Sequence, residues 1–418
     1  MNSIPGPSGL PAVPSAAPAG IDVAAERART AGARLASHFN SAGSALPSRP
    51  VVATVIDHLR REEEIGGYEA AAEARPRVEA VYASAAQLIG ADAEEIALLD
   101  SASTGLRVVL DALRPVRPRR IIATSSTYVS HALHLMTIAR ESEIDLLVAP
   151  TGPGRGVDLD ALARLLADGP PAIVTAAHVP TSSGLVEPAA AIGTLVREAG
   201  GVFLLDATQS VGHLRTDVAE IGCDVLVTTG RKFLRAPRGT GFAYIRHGLV
   251  RDLAPTSPDV RAARWTAPFD WELDDSARRF ETWEAAVAAR LGLGAALDEA
   301  LARGSVETER WLVHAGARLR AALEDVRGVS VADPADARSA IVTFVVEGVP
   351  AARVVQELTE LRVRVVSVPA THGQWDLGDR GIPAVVRASA HVYNDESDIA
   401  ALVDGVAAIA RRARTGAA

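Results

Sequence analysis

Seven short apolar runs, at residues 96–100, 121–125, 145–149, 172–177, 202–206, 224–228 and 241–245, alternate with stretches of helical character such as 159–166 and 189–199. Strands that are apolar on both faces need cover on both faces. The alternation therefore predicts an α/β fold: a mostly parallel seven-stranded sheet with helices on either side. With 418 residues, 48% hydrophobic and 22% charged, the chain can bury such a core and a second unit besides. Upstream, 21–37 has helical composition, 38–50 is broken by Gly43, Pro47 and Pro50, and a long helical region over 51–89 carries interruptions near Gly66-Gly67 and Pro76. Downstream, a helical region from about 283 to 326 precedes strand-like pieces at 340–346, 363–368 and 385–389 and a last helix near 397–411. The expected organisation is a disordered tail over 1–20, an N-terminal segment over 21–50 packing near the small domain, a large domain over 51–275, and a smaller α+β C-terminal domain over 276–418.

A formal charge of -8 argues against nucleic-acid binding, which needs clustered Lys and Arg to release counterions. No apolar run approaches the ~20 residues that span a bilayer, so no membrane association is expected. The first twenty residues hold five prolines and neither Lys nor Arg, unlike a secretory signal. One cysteine, Cys223, allows no intramolecular disulfide, and its apolar setting reads as a buried structural thiol. The chain reads as cytoplasmic, with small molecules or other protein chains as partners.

In open parallel sheets, ligands bind beyond the carboxyl ends of the strands. Polar residues gather at those ends here, in 101–104, 126–128, 178–181, 206–209 and 229–232. Lys232 follows a buried strand through Thr-Thr-Gly-Arg and precedes a Gly-rich turn into the next strand, which points it into the crevice. Asp206 ends an apolar strand, so its carboxylate needs a cationic or hydrogen-bonding partner if buried, unless it is a helix N-cap. Ser103 and Thr104 open a helix whose free N–H groups attract phosphate, and Thr229 and Arg231 add a hydroxyl and a guanidinium. The Gly-rich 151–156 lacks Walker or dinucleotide spacing and reads as a loop into a helix at Leu159. His131 and His134 lie three apart on a helix without a third ligand, so no metal is expected. No Gly-x-Ser-x-Gly elbow is present.

The segment Cys-Asp-Val-Leu-Val-Thr-Thr-Gly-Arg-Lys at 223–232, followed after six residues by Gly239-Thr-Gly-Phe-Ala, resembles the lysine signature of the class V aminotransferase family, which includes cysteine desulfurases and related fold-type I pyridoxal-phosphate (PLP) enzymes. The resemblance runs from Phe-Asn-Ser-Ala-Gly-Ser at 39–44 to Val-Val-Arg-Ala-Ser-Ala-His-Val-Tyr-Asn at 385–394. It implies that Lys232 carries PLP and that Asp206 pairs with the pyridine nitrogen. It further implies that Gln209 and Thr181 lie near the phenolic oxygen, that Tyr128 stacks on the ring, and that Ala102, Ser103, Thr229 and Arg231 hold the phosphate. Arg387 falls where the family clamps the substrate carboxylate, and Asn40 is a further substrate-binding candidate. Family members are typically homodimers.

Two departures narrow the activity. No Cys follows Cys223, whereas desulfurases need a mobile cysteine in the C-terminal half. Arg-Phe-Glu-Thr-Trp-Glu at 279–284 replaces a small Gly-Thr pair that touches the partner subunit's cofactor in many relatives. That segment and Glu-Glu-Ile-Gly-Gly-Tyr-Glu-Ala-Ala at 63–71 are similar to a branch of C–S lyases that includes ergothioneine-pathway and lincosamide-pathway enzymes. The expected reaction is β-elimination from an S-substituted cysteine, with decarboxylation coupled to oxidative deamination, transamination or epimerisation as alternatives, and a PLP-binding protein without turnover as a further one.

Overall fold

The computed structural model describes residues 20–113 and 120–416. The expected tail lies outside the described residues except for Gly20. Helix α1 (Val23–Ala28) starts at Asp22, whose carboxylate accepts the Ala25 N–H. Helix α2 (Arg49–Ile65) is capped by Ser48 and has Pro50 in its first turn, where a missing N–H costs nothing. Helix α3 (Gly67–Ile89) follows a break at Gly66. Pro76 sits inside α3 without interrupting it, a correction to the sequence reading. Ala72, whose carbonyl loses its partner at that point, is exposed, so water can satisfy it.

The seven apolar runs form strands β1 (Ile96–Leu99), β2 (Arg120–Ala123), β3 (Asp145–Val148), β4 (Ile173–Ala177), β5 (Val202–Asp206), β6 (Val225–Thr229) and β7 (Gly241–Ile245). They lie in one sheet in the order β1-β7-β6-β5-β4-β2-β3. Only β7 runs against its neighbours. Every residue of these strands is buried except in β3, which lies at one of the sheet's two edges. The reason is cover on both faces: Phe203 and Leu205 of β5 join one apolar core, and Val202 and Leu204 join the other. The first core is completed by α3, α6 (Leu159–Ala167) and α7 (Ala189–Glu198), and the second by α4 (Ala102–Leu113) and α5 (Val129–Glu141).

A hairpin of β8 (Ala263–Ala267) and β9 (Asp270–Leu273), absent from the sequence reading, projects from the body with its side chains largely exposed. The expected helical region after Trp283 is two helices, α8 (Val287–Arg303) and α9 (Ser305–Glu324). Gly304 divides them with φ +81°, and a Cβ there would fall 2.2 Å from Glu307 Oε2. Leu293, Leu297 and Ala300 of α8 pack into the first core, whereas Leu312, Leu319 and Leu323 of α9 pack into the core of a smaller unit. Its sheet comprises β10 (Val329–Val331), β11 (Ile341–Val346), β12 (Val366–Pro369) and β13 (Ala384–Ser389), antiparallel in the order β10-β11-β13-β12. Helices α9, α10 (Ala351–Glu360) and α11 (Glu396–Thr415) cover it. The N-terminal segment joins this unit: Ser37 and His38 pair with Val363 and Arg364, and Phe39 lies in its core.

Candidate active site

The carboxyl ends of β1, β2, β4, β5 and β6 open onto a cleft of about 340 Å³. Its wall brings together Ala102 and Ser103 after β1, Tyr128 after β2, Thr181 after β4, Asp206 and Gln209 from β5, and Thr229, Arg231 and Lys232 from β6. These residues are as far as 130 positions apart in sequence, and the sheet order alone makes them neighbours. The first turn of α4 faces the cleft with Ala102 and Ser103, and its first intrahelical bond runs from Gly105 N to Ser101 O.

Arg387 is not on that wall but behind it. It projects from β13 and is buried, and its Nη1 donates to the Thr181 hydroxyl and to the Thr181 carbonyl. Asn40 forms a bridge with Ser389, two residues along from Arg387. Both enter from the smaller unit's side.

Lys232 is the only lysine among the 43 Lys and Arg residues of the chain. That solitary position was a signal in the sequence independent of any motif. Its amine is buried, 5.9 Å from the Tyr128 ring centroid. Burial lowers its pKa to about 7, with Arg387 and Arg231 adding to the effect and Asp206 opposing it. An amine so placed is largely neutral just above neutrality and therefore nucleophilic. Asp206 is held above the usual carboxylate range by burial, against the Thr208 N–H, which bonds its Oδ1 at 3.0 Å, and the Lys232 charge. Burial lowers Arg387 to about 10, with Arg231 adding and Tyr128 opposing.

Several buried polar atoms at and behind the cleft have no partner among the described residues: Gln209 Oε1, His131 Nδ1, Arg387 Nε and Asn40 Oδ1. Buried groups of this kind are normally satisfied, so a polar ligand is implied. The set fits PLP: a buried amine for a carbonyl carbon, a buried carboxylate for a cationic ring nitrogen, a flat aromatic face, and a helix start with hydroxyls and guanidinium for a phosphate. Gln209 donates from Nε2 to the Ala42 carbonyl at 3.1 Å, which leaves Oε1 free to accept at the cleft. Arg238, Ser126 and Ser130 also line the cleft, and the Arg231 pKa is lowered by burial, with Arg238 adding to the effect. Of these, Arg238 lay in the turn after Lys232 without a motif role to mark it. His131, considered as a metal ligand from sequence, lines the cleft with its Nε2 at 3.0 Å from Thr175 Oγ1, and burial lowers it to about 3.

Cys223 precedes β6, at the end opposite Lys232. It is buried in the first core, and burial raises its thiol. In the 279–284 segment, Glu281 is buried and accepts from Tyr82 Oη at 2.7 Å and Leu98 N at 2.9 Å, while Arg279 donates to the Val250 and Leu253 carbonyls. These two charged residues are consumed in holding β1 and the chain after β7 together.

A model of the "Aminotransferase class-V" family matches residues 38–402. A curated relative, a probable hercynylcysteine sulfoxide lyase from Mycobacterium tuberculosis, is 32% identical over 94% of each chain. Among solved structures, an apo cysteine desulfurase from Thermococcus onnurineus superimposes with a TM-score of 0.86 at 21% identity, covering 95% of this chain and 100% of its own. A cystine C–S lyase in complex with its product cysteine persulfide gives a TM-score of 0.80 at 22% identity, covering 90% and 99%. With the lysine, the carboxylate and the cleft in place, the chain belongs to the class V aminotransferase family of PLP-dependent enzymes.

Proposed function

We propose that the protein is a C–S lyase that cleaves the Cβ–S bond of an S-substituted cysteine and releases a thiol, pyruvate and ammonia. The observation that carries this reading is the pairing of a buried, near-neutral Lys232 amine with a chain whose one cysteine is buried away from the cleft. Desulfuration through a protein persulfide needs a thiol that reaches the substrate sulfur, and Cys223 cannot supply it. The sulfoxide-lyase relative supports the same class.

On this reading Lys232 would hold the cofactor, Asp206 would keep the proton on its ring nitrogen, and Tyr128 would offer its flat face to the ring. Ala102, Ser103, Thr229 and Arg231 hold the phosphate, with Gln209 and Thr181 at the phenolic oxygen. Bound PLP supplies an electron sink for the pair left behind when a Cα bond breaks. Arg387 grips the substrate carboxylate through a planar fork, with Thr181 already oriented against it. Asn40 adds a hydrogen bond from the same side. Lys232 Nζ would take the Cα proton and hand it to the sulfur that leaves Cβ, so that the thiol departs neutral.

The same reading includes a homodimer in the cytoplasm. The β8–β9 hairpin bares Trp265 (79% exposed), Phe269 (98%) and Trp271 (54%), with Trp283 (58%) also exposed, an apolar surface that a second copy would cover. Among the described residues, no helix is long and apolar enough to cross a membrane. Natural-product biosynthesis is the proposed setting, since an S-substituted cysteine is a conjugate built before it is cleaved.

The test is an absorbance spectrum of the PLP-loaded protein, followed by addition of an S-alkylcysteine with assays for pyruvate and thiol. A visible cofactor band that is absent from Lys232→Ala, with pyruvate and thiol in equal amounts, is the expected result. Carbon dioxide with an aldehyde would move the chemistry to oxidative decarboxylation, and a new amino acid would move it to transamination. Cofactor binding with no turnover in a broad amino-acid screen would leave a binding protein.

A further inference from the structure

Lys232 lies in the turn between β6 and β7, and that turn is bonded carbonyl by carbonyl. The Gly230, Arg231 and Lys232 carbonyls accept from the N–H groups of Ala236, Ala45 and Arg235. The next carbonyl, of Phe233, is met from the smaller unit by His391 Nε2 at 3.0 Å. Gly212 closes the other side, since with φ +81° a Cβ there would fall 2.8 Å from the Phe233 carbonyl carbon and oxygen.

The donor in that contact is fixed by elementary bonding. His391 Nδ1 lies 2.8 Å from the Val392 N–H, which can only donate, so Nδ1 accepts and the proton sits on Nε2. Burial and the neighbouring Arg235 and Arg303 hold the imidazole neutral. Its ring stands in a column of four: His213 and Phe233 at 4.1 Å and 19°, Phe233 and His391 at 5.7 Å and 23°, His391 and Tyr393 at 5.2 Å and 7°. His391 is fully buried, two residues past β13, and four residues past Arg387.

We propose that His391 is a positioning residue: its Nε2–H bond to the Phe233 carbonyl fixes the backbone from which Lys232 projects into the cleft. Packing in the ring column holds the segment; the bond sets its register. The functional weight of the contact rests on the proposed role of Lys232, whereas the contact itself does not. The charged groups that bear on the amine directly are Asp206, Arg231 and Arg387, and none of them touches His391.

Because the chain has one lysine, acylation with acetic anhydride followed by peptide mass spectrometry reports on that ε-amine alone. Full-length protein is labelled across a pH series, with PLP bound and after its removal. Without PLP, the wild-type amine should label with a midpoint near the value of about 7 that its burial sets. His391→Phe keeps a ring and loses the bond, and a loosened turn lets the amine reach water. Its midpoint should rise by about one pH unit, seen as a roughly tenfold slower labelling at pH 6. His391→Gln, which reaches the carbonyl with an N–H, should keep the wild-type midpoint, and the shorter His391→Asn should follow the Phe variant. Folded Phe and Asn variants with the wild-type midpoint, or a Gln variant shifted as far as Asn, would overturn the proposal. If the Phe variant does not fold, the Asn and Gln pair decides it. Failure of PLP to protect wild-type Lys232 would instead overturn the cofactor reading, and the variant series would still decide the positioning role.

Discussion

The two ends of strand β6 carry Cys223 and Lys232, and both side chains are buried. Burial favours the uncharged form of each: it raises the thiol pKa, with Asp224 adding to the effect, and lowers the amine pKa to about 7, with Arg387 and Arg231 adding. An uncharged thiol is unreactive, whereas an uncharged amine is the nucleophile. One physical effect therefore silences the amino end of the strand and arms the carboxyl end. The surroundings complete the contrast: Cys223 sits among the apolar side chains of the first core, while Lys232 faces a cleft with unpaired polar atoms around it.

The contrast can be broken at several points. Lys232→Ala should reduce pyruvate release by about 10⁴-fold or more, and a steady-state assay that retains substantial lyase activity would remove the amine from the mechanism. Arg387→Ala should lower kcat/KM by roughly 100-fold, mainly through KM, and Arg387→Lys should recover only part, because an ammonium cannot reproduce the bidentate fork. Asp206→Asn removes the one group that raises the Lys232 pKa. The labelling midpoint of the amine should then fall below the wild-type value of about 7, with faster acylation at pH 6, and an upward shift would contradict the assignment of these charges. Cys223→Ala should leave lyase turnover unchanged and cost about 1 kcal/mol in urea unfolding. Loss of activity with intact folding would show that the thiol takes part after all.

The large sheet was legible because each of its strands except β3 is buried on both faces, which leaves an uninterrupted apolar run in the sequence. The same rule explains what was not legible. Strands β8 and β9 are exposed and read Ala-Arg-Trp-Thr-Ala and Asp-Trp-Glu-Leu, without a buried face to impose a pattern. Pro76 signals a helix end by local chemistry, yet α3 continues because its orphaned carbonyl is on the wet side. Helix α8 looked continuous with α9 in composition, and only its packing on α3 assigns it to the first core. At the site, the wall residues were visible as polar strand ends. The contribution of the smaller unit was visible only as Arg387 and Asn40, because the His391 contact depends on a ring column assembled from residues 213, 233, 391 and 393.

Strand β13 carries Arg387 within its span and His391 just beyond it, and it is clasped between β11 and β12. Its arginine reaches Thr181 after β4, and its histidine reaches Phe233 after β6. The strand thus acts as a yoke across two strand ends of the larger sheet. A displacement of the smaller unit would therefore be felt at both strand ends at once, through Arg387 at Thr181 and through His391 at Phe233.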